Sequence, residues 1–172
     1  KGFKSYLQIE RSLSINSVQA YIRDVKKFAN YAIPLELNEL KINREDISEF
    51  LNTLKNDNIS ARSQARIISG IKAFYKYLII EDYIKHNPTE LIESPKIGLK
   101  LPDTLSLIEI DKLIAAIDLS NKQGERNRAI IETLYSCGLR VSELTNLKLS
   151  TIYFNEGYIK VIGKGDKERL AP

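Results

Sequence analysis

Apolar residues recur at helical spacing through most of the first ninety positions. Phe3, Tyr6, Leu7 and Ile9 share one face of a helix over residues 1–13. Ser14 then offers an N-cap to a helix reaching about Ala32, with Val18, Tyr21, Ile22, Val25, Phe28, Ala29 and Ala32 as its apolar stripe. Pro34 ends it. Asn43 and Asp46 have capping-box spacing ahead of Ile47, Phe50, Leu51 and Leu54. After the polar turn Asn56-Asp57-Asn58, Ser60 caps a long helix over about Ala61 to Glu81, built on Ala65, Ile67, Ile68, Ile71, Phe74, Tyr75, Leu78 and Ile79. Asn87-Pro88 predicts a last short helix through Ile92, with proline at its permitted first position.

Periodicity then lapses. Residues 94–102 hold two prolines and a glycine and read as an interdomain linker. The pattern resumes with a capping box, Ser106 and Glu109, before Ile108, Ile110, Leu113, Ile114 and Ile117. A helix over Glu125 to Cys137 places Ile130, Ile131, Leu134 and Tyr135 inside, and Gly138 stops it. Val141 to Leu147 is short and amphipathic. The period then changes from 3.6 to 2: Ile152-Tyr153-Phe154, the turn Asn155-Glu156-Gly157, and Tyr158 to Ile162 form a hairpin. Gly163-Lys164-Gly165-Asp166 turns into a third strand over Lys167 to Ala171. The pattern thus predicts two domains, residues 1–93 and 103–172, joined by 94–102.

Composition narrows the function classes. The longest apolar runs, such as Leu78-Ile79-Ile80, are too short to span a bilayer, and charge interrupts residues 1–20, so they hold no signal-peptide core. A single cysteine among 172 residues allows no internal disulfide and suits a reducing cytoplasm. One cysteine and one histidine are too few soft ligands for a zinc site, and no cofactor is implied. The net charge of +4 is unevenly placed: residues 1–100 carry 16 Lys/Arg against 12 Asp/Glu, and residues 101–172 carry 10 against 10. A basic excess of this size is weak evidence for nucleic acid by itself.

Position says more than total charge. Arg62 and Arg66 stand one turn apart near the start of the long helix, and Gln19 and Arg23 make a similar pair on the second. Such side chains suit a duplex groove; the plainer reading is two solvated helix faces. Arg140 follows a helix-stopping glycine, with Glu143 one turn further on. On spacing alone this is either a phosphate-gripping fork with an acidic support or an exposed i,i+3 ion pair. Lys164, between two glycines, is either a turn lysine in solvent or a group able to reach a ligand and donate a proton. Gly163-Lys164-Gly165 is no P-loop, lacking the upstream glycine and the following Ser/Thr. Cys137 reads as a small core residue and His86 as a loop residue, so no nucleophilic triad forms.

Two boxes in order carry a resemblance. Tyr135-Ser136-Cys137-Gly138-Leu139-Arg140-Val141-Ser142-Glu143-Leu144 is followed by Val161-Ile162-Gly163-Lys164-Gly165-Asp166-Lys167-Glu168-Arg169-Leu170-Ala171-Pro172. Upstream, Ser14 to Phe28 with Tyr21 and Asp24, Arg66 to Tyr75, and Leu101-Pro102-Asp103-Thr104-Leu105 fit the same pattern. The chain resembles the tyrosine recombinase (phage integrase) family, and within it the bacterial Xer group.

The resemblance implies a mainly α fold with a small three-stranded sheet: a SAM-like helical core-binding domain, then the start of an α+β catalytic domain. It implies strand cleavage through a 3′-phosphotyrosyl link without metal or nucleotide. Arg140 and Lys164 match catalytic positions and Glu143 a supporting one, while Gln19, Arg23, Arg62 and Arg66 match positions facing the major groove. The implied partners are double-stranded DNA, further copies or a second Xer recombinase in a tetramer, and a DNA translocase, with no membrane. The family's later motifs, His-x-x-Arg, a His or Trp and the nucleophilic tyrosine, do not follow Lys164 here. The expectation is a C-terminally truncated recombinase, inactive alone. A mobile-element integrase and a non-catalytic DNA-binding module of the same fold are the alternatives.

Overall fold

Local capping chemistry sets where the helices begin. The computed structural model describes residues 2–98, 101–163, 165 and 167–172. Among them are seven α-helices and one three-stranded antiparallel sheet, arranged in two units, Lys1–Lys100 and Leu101–Pro172.

In the first unit α1 (Gly2–Ser5) runs into a π-helical turn, Tyr6–Glu10, followed by α2 (Ile15–Ala32), α3 (Arg44–Asn56) and α4 (Ala61–Ile80). The Ser14 hydroxyl accepts from Ser17 N–H at 3.4 Å and Ser60 from Ser63 N–H at 3.3 Å. Asn43 and Asp46 cap reciprocally, at 3.0 and 2.9 Å. Each such cap is worth about 1 kcal/mol. The α2, α3 and α4 stripes meet in one core, where Phe28 and Phe50 lie 5.0 Å apart at their ring centroids and Ile47, Leu54, Ile71 and Tyr75 are buried. Tyr6, Leu7 and Val18 form a second cluster beside Tyr77.

Two expectations fail in this unit. The first helix ends at Glu10 rather than Leu13, and Ile9 is 77% exposed instead of buried. The Arg11 N–H bonds to the Tyr6 carbonyl, five residues back, and that wider turn rotates Ile9 off the apolar stripe. Ser12 then takes a positive φ of 47°. Asn87-Pro88 opens no helix. The Asn87 side-chain carbonyl accepts from Thr89 N–H (2.9 Å) and Thr89 Oγ1 (2.7 Å), as an N-cap would, but the chain goes on only in i→i+3 turns, anchored by buried Thr89 and Ile92.

The second unit begins with α5 (Leu107–Ala115), capped by the Ser106–Glu109 box, then α6 (Gly124–Ser136) and α7 (Val141–Thr145). Strands β1 (Ile152–Tyr153), β2 (Tyr158–Ile162) and β3 (Glu168–Ala171) come next, in the order β1-β2-β3. Register pairs Ile159 with Ala171 and Val161 with Arg169. Ile159, Val161, Ala171 and Leu139 make the buried centre. Ile108, Leu113, Ile130 and Tyr135, expected inside, are exposed; of α5 only Ile110 is buried. Among the described residues, no element of this unit covers the outer faces of α5 and α6.

Candidate functional site

The corner between α6 and α7 is made by Gly138, whose φ of +57° ends α6 at little steric cost. The chain then drops Leu139 into the core and presents Arg140 as the extended N-cap residue of α7. Its side chain is 67% exposed, whereas that of Glu143, one turn on, is only 3% exposed. Glu143 Oε1 accepts from Arg140 Nη1 at 2.7 Å, and Oε2 accepts from the Arg140 backbone N–H at 2.9 Å. The two residues are therefore not the loose surface pair that spacing alone allowed. One carboxylate fixes both the backbone and the guanidinium of the same arginine.

A third residue completes the arrangement. Arg169 Nη2 donates to Glu143 Oε2 at 2.9 Å and to the Gly138 carbonyl at 3.1 Å. The Arg140 N–H and guanidinium, helped by Arg169, outweigh the cost of burial and hold the Glu143 carboxyl down at about 2. Glu143 is thus ionised at any useful pH. Two guanidinium charges against one carboxylate leave an excess positive charge at a corner where Arg140 still faces solvent. Among the described residues, Arg140 Nε and Nη2 have no protein acceptor. An exposed, oriented fork with donors to spare suits bidentate contact with a phosphate.

Gly163, where the chain leaves β2, stands close to this ion pair. Gly163 N–H donates to the Lys167 carbonyl at 2.8 Å, and a Cβ added at Gly163 would stand 3.4 Å from Glu143 Oε1 and 3.9 Å from Arg140 Nη1. Gly165 has a φ of +77°. Lys164 lies outside the described residues. Of the sequence-derived positions in this unit, Arg140 and Glu143 are brought together, with the backbone preceding Lys164 beside them. Arg169 was missed. The signal for it was parity: paired across from buried Val161 and two residues before buried Ala171, it is an arginine on the inner face of a strand.

In the first unit Gln19, Arg23, Arg62 and Arg66 are all exposed. Arg66 is not simply solvated: its Nη1 donates to Oδ2 of Asp24, a buried residue of α2. Burial raises the Asp24 carboxyl above its ordinary range, opposed by Arg66, Arg23 and Lys27. Arg66 of α4 and Arg23 of α2 therefore act on one carboxylate. Gly70 permits the close helix approach, since a Cβ there would stand 3.1 Å from Asp24 Cβ and 3.6 Å from Tyr21 Cα. Spacing alone gave no sign of this pairing. Among the described residues no helix is long and apolar enough to cross a membrane.

Residues 1–82 match the phage integrase N-terminal SAM-like domain, and residues 104–172 match the phage integrase family. Similar curated proteins include tyrosine recombinase XerD of Staphylococcus aureus (strain Mu50), 42% identical over 97% of this chain and 57% of that protein. XerD of Staphylococcus haemolyticus (strain JCSC1435) is 40% identical over 99% of this chain and 58% of that protein. The chain thus spans less than two thirds of the curated relatives it matches. Among solved structures, a lambda integrase tetramer bound to a Holliday junction superposes with a TM-score of 0.75 at 22% identity, over 99% of this chain and 48% of that one. The XerH recombinase bound to a palindromic difH substrate gives 0.71 at 22% identity, over 93% and 49%. At that identity these two structures speak to the fold alone. The two family matches together span most of the sequence, and the chain belongs to the phage integrase family of tyrosine recombinases.

Proposed function

We propose that this chain carries the duplex-gripping unit and the first active-site residues of an Xer-type site-specific DNA recombinase acting at a dif-like site to resolve chromosome dimers in the cytoplasm. In this reading residues 1–93 are the core-binding domain, 94–102 a linker and 103–172 the opening of the catalytic domain. The partners are duplex DNA, further copies or a second Xer recombinase in a tetramer, and a DNA translocase. The observation that carries the reading is Arg140, held outward and oriented at both its backbone and its guanidinium by buried Glu143. The relatives named tyrosine recombinase XerD support the Xer-type part of this reading.

The chemistry is set by the needs of a phosphodiester. A tyrosine oxygen bonds to the scissile phosphorus as the bond to the 5′-oxygen breaks, and negative charge grows on the non-bridging oxygens. Arg140 stabilises that charge, which a fixed donor fork does best when it need not reorganise. Glu143 supports Arg140. Lys164 gives its proton to the departing 5′-oxygen. Gln19, Arg23, Arg62 and Arg66 hold the duplex, Arg66 while its Nη1 stays bonded to Asp24.

The test is duplex binding by the chain, read by fluorescence anisotropy over a salt series on dif-like and scrambled DNA. The reading expects tighter binding to the dif-like duplex. It expects Arg23→Ala with Arg62→Ala to flatten the slope of log K against log salt, by about 0.9 for each phosphate that is no longer neutralised. An unchanged affinity and slope in that variant would overturn the DNA-facing assignment.

A further inference from the structure

We propose that Arg169 is a positioning residue for Arg140, acting through Glu143 and locking the β2–β3 hairpin to the α6–α7 corner as one piece. Glu143 has two oxygens and three donors: Arg140 Nη1 on Oε1, and the Arg140 N–H and Arg169 Nη2 on Oε2. Without Arg169, Oε2 would be held only by a backbone N–H from the same short helix, and the carboxylate could turn about its own side chain. With it, the carboxylate is clamped from a strand 26 residues away.

The same Nη2 reaches the carbonyl of Gly138, the residue that turns the corner between α6 and α7. Arg169 therefore bonds both sides of Arg140: the residue two before it and the carboxylate three after it. Its own position is set by the sheet, where it pairs with buried Val161. The hairpin that carries Arg169 also carries Gly163, where an added Cβ would already reach van der Waals contact with Glu143 Oε1. Hairpin register and Arg140 orientation are thus one variable: a slip of β3 by one residue would turn Arg169 outward and release Glu143. A guanidinium can serve two acceptors in a fixed plane, which a lysine ammonium on a shorter reach does less well.

This inference rests on the proposed role of Arg140 toward a phosphodiester, and the experiment separates the two. The 172-residue chain is labelled for NMR, and three quantities are read in the unmodified chain, R169Q and R169K. They are the titration of the Glu143 carboxyl carbon, hydrogen exchange at the Arg140 amide, and the Kd of inorganic phosphate at the Arg140 guanidinium. In R169Q the Glu143 titration moves up toward the usual glutamate range, Arg140 amide exchange speeds at least fivefold, and phosphate binding weakens about three- to tenfold. R169K restores the low Glu143 titration and part of the phosphate affinity, leaving it about twofold short. A merely structural role would lower the unfolding midpoint and leave the Glu143 titration of the folded chain where it was. That result, with unchanged phosphate affinity, would overturn the proposal. Should R169Q not fold, R169K decides: amide exchange and phosphate affinity both equal to those of the unmodified chain would overturn it. If phosphate fails to bind the unmodified chain at Arg140, the role of Arg140 is wrong, while the Glu143 titration still judges Arg169.

Discussion

Gly163 lies against the carboxylate of Glu143: a Cβ there would meet Oε1 at 3.4 Å and Arg140 Nη1 at 3.9 Å. A side chain at position 163 would therefore touch the ion pair that orients Arg140. An alanine needs only a small adjustment, while a branched side chain needs the turn or the ion pair to move. Gly163→Ala is expected to cost less than about 1 kcal/mol, and Gly163→Val about 1–3 kcal/mol, from overpacking. Urea unfolding of the chain measures both, and equal stability for the two variants would contradict the contact.

Glu143 should leave a mark on the acid limb of the stability profile. Its carboxyl sits at about 2, below the ordinary 4.5, because it accepts from the Arg140 N–H, the Arg140 guanidinium and Arg169. An acid depressed in the folded state stabilises above its unfolded value and loses that contribution as pH falls from about 4.5 to about 2. The expectation is that Glu143→Gln lowers stability at pH 7 and flattens this acid window. Denaturant unfolding at pH 7, 4.5 and 3 checks it; parallel profiles for the two proteins would refute it.

Asp24 behaves in the opposite sense. Its carboxyl is raised by burial despite Arg66, so its contribution is fully present below the unfolded value of 3.8 and is lost as pH rises through the folded one. Removing Arg66 takes away the strongest opposing influence and leaves a buried, unpaired acid. Arg66→Ala should therefore cost about 1–3 kcal/mol at pH 7, shrinking toward acid pH as Asp24 takes up its proton. Urea unfolding at pH 7 and pH 4 gives the comparison, and a cost that grows toward pH 4 would reverse the assignment.

The role proposed for Lys164 has a chemical signature. In the active recombinase Lys164→Ala should slow strand cleavage by about a hundredfold or more, the usual scale for removing a general acid. A substrate with sulfur in place of the 5′-bridging oxygen needs no proton on its leaving group and should be cleaved at close to the normal rate. Gel-resolved single-turnover cleavage of both substrates reads this out, and an unrescued variant removes Lys164 from the acid role.

Much of the fold was legible because its signals are local. Ser14, Asn43, Ser60 and Ser106 each cap through atoms three residues away, and the structure has all four caps. Gly138 ends α6 where the sequence put a stop. The errors have equally local causes that periodicity does not register. A π-turn after Tyr6 threw Ile9 outward, and after Asn87 the chain closes i→i+3 turns that do not continue as a helix. Ile130 and Tyr135 satisfied a helical stripe and still lie exposed, because a stripe shows which side of a helix is apolar and not what packs on it.

By itself, then, the sequence determined the caps, the helix stops, the switch from a 3.6 to a 2.0 period and the two boxes that mark the family. All of these rest on spacings of a few residues or on order along the chain. Tertiary structure alone decided that Glu143 is buried, that Arg169 completes its clamp from 26 residues away, and that Arg66 is bound to Asp24 across 42. Spacing states which residues share an element's face; it does not state which distant charge that face will meet. Only packing excludes water from a carboxylate and requires a particular arginine to answer it.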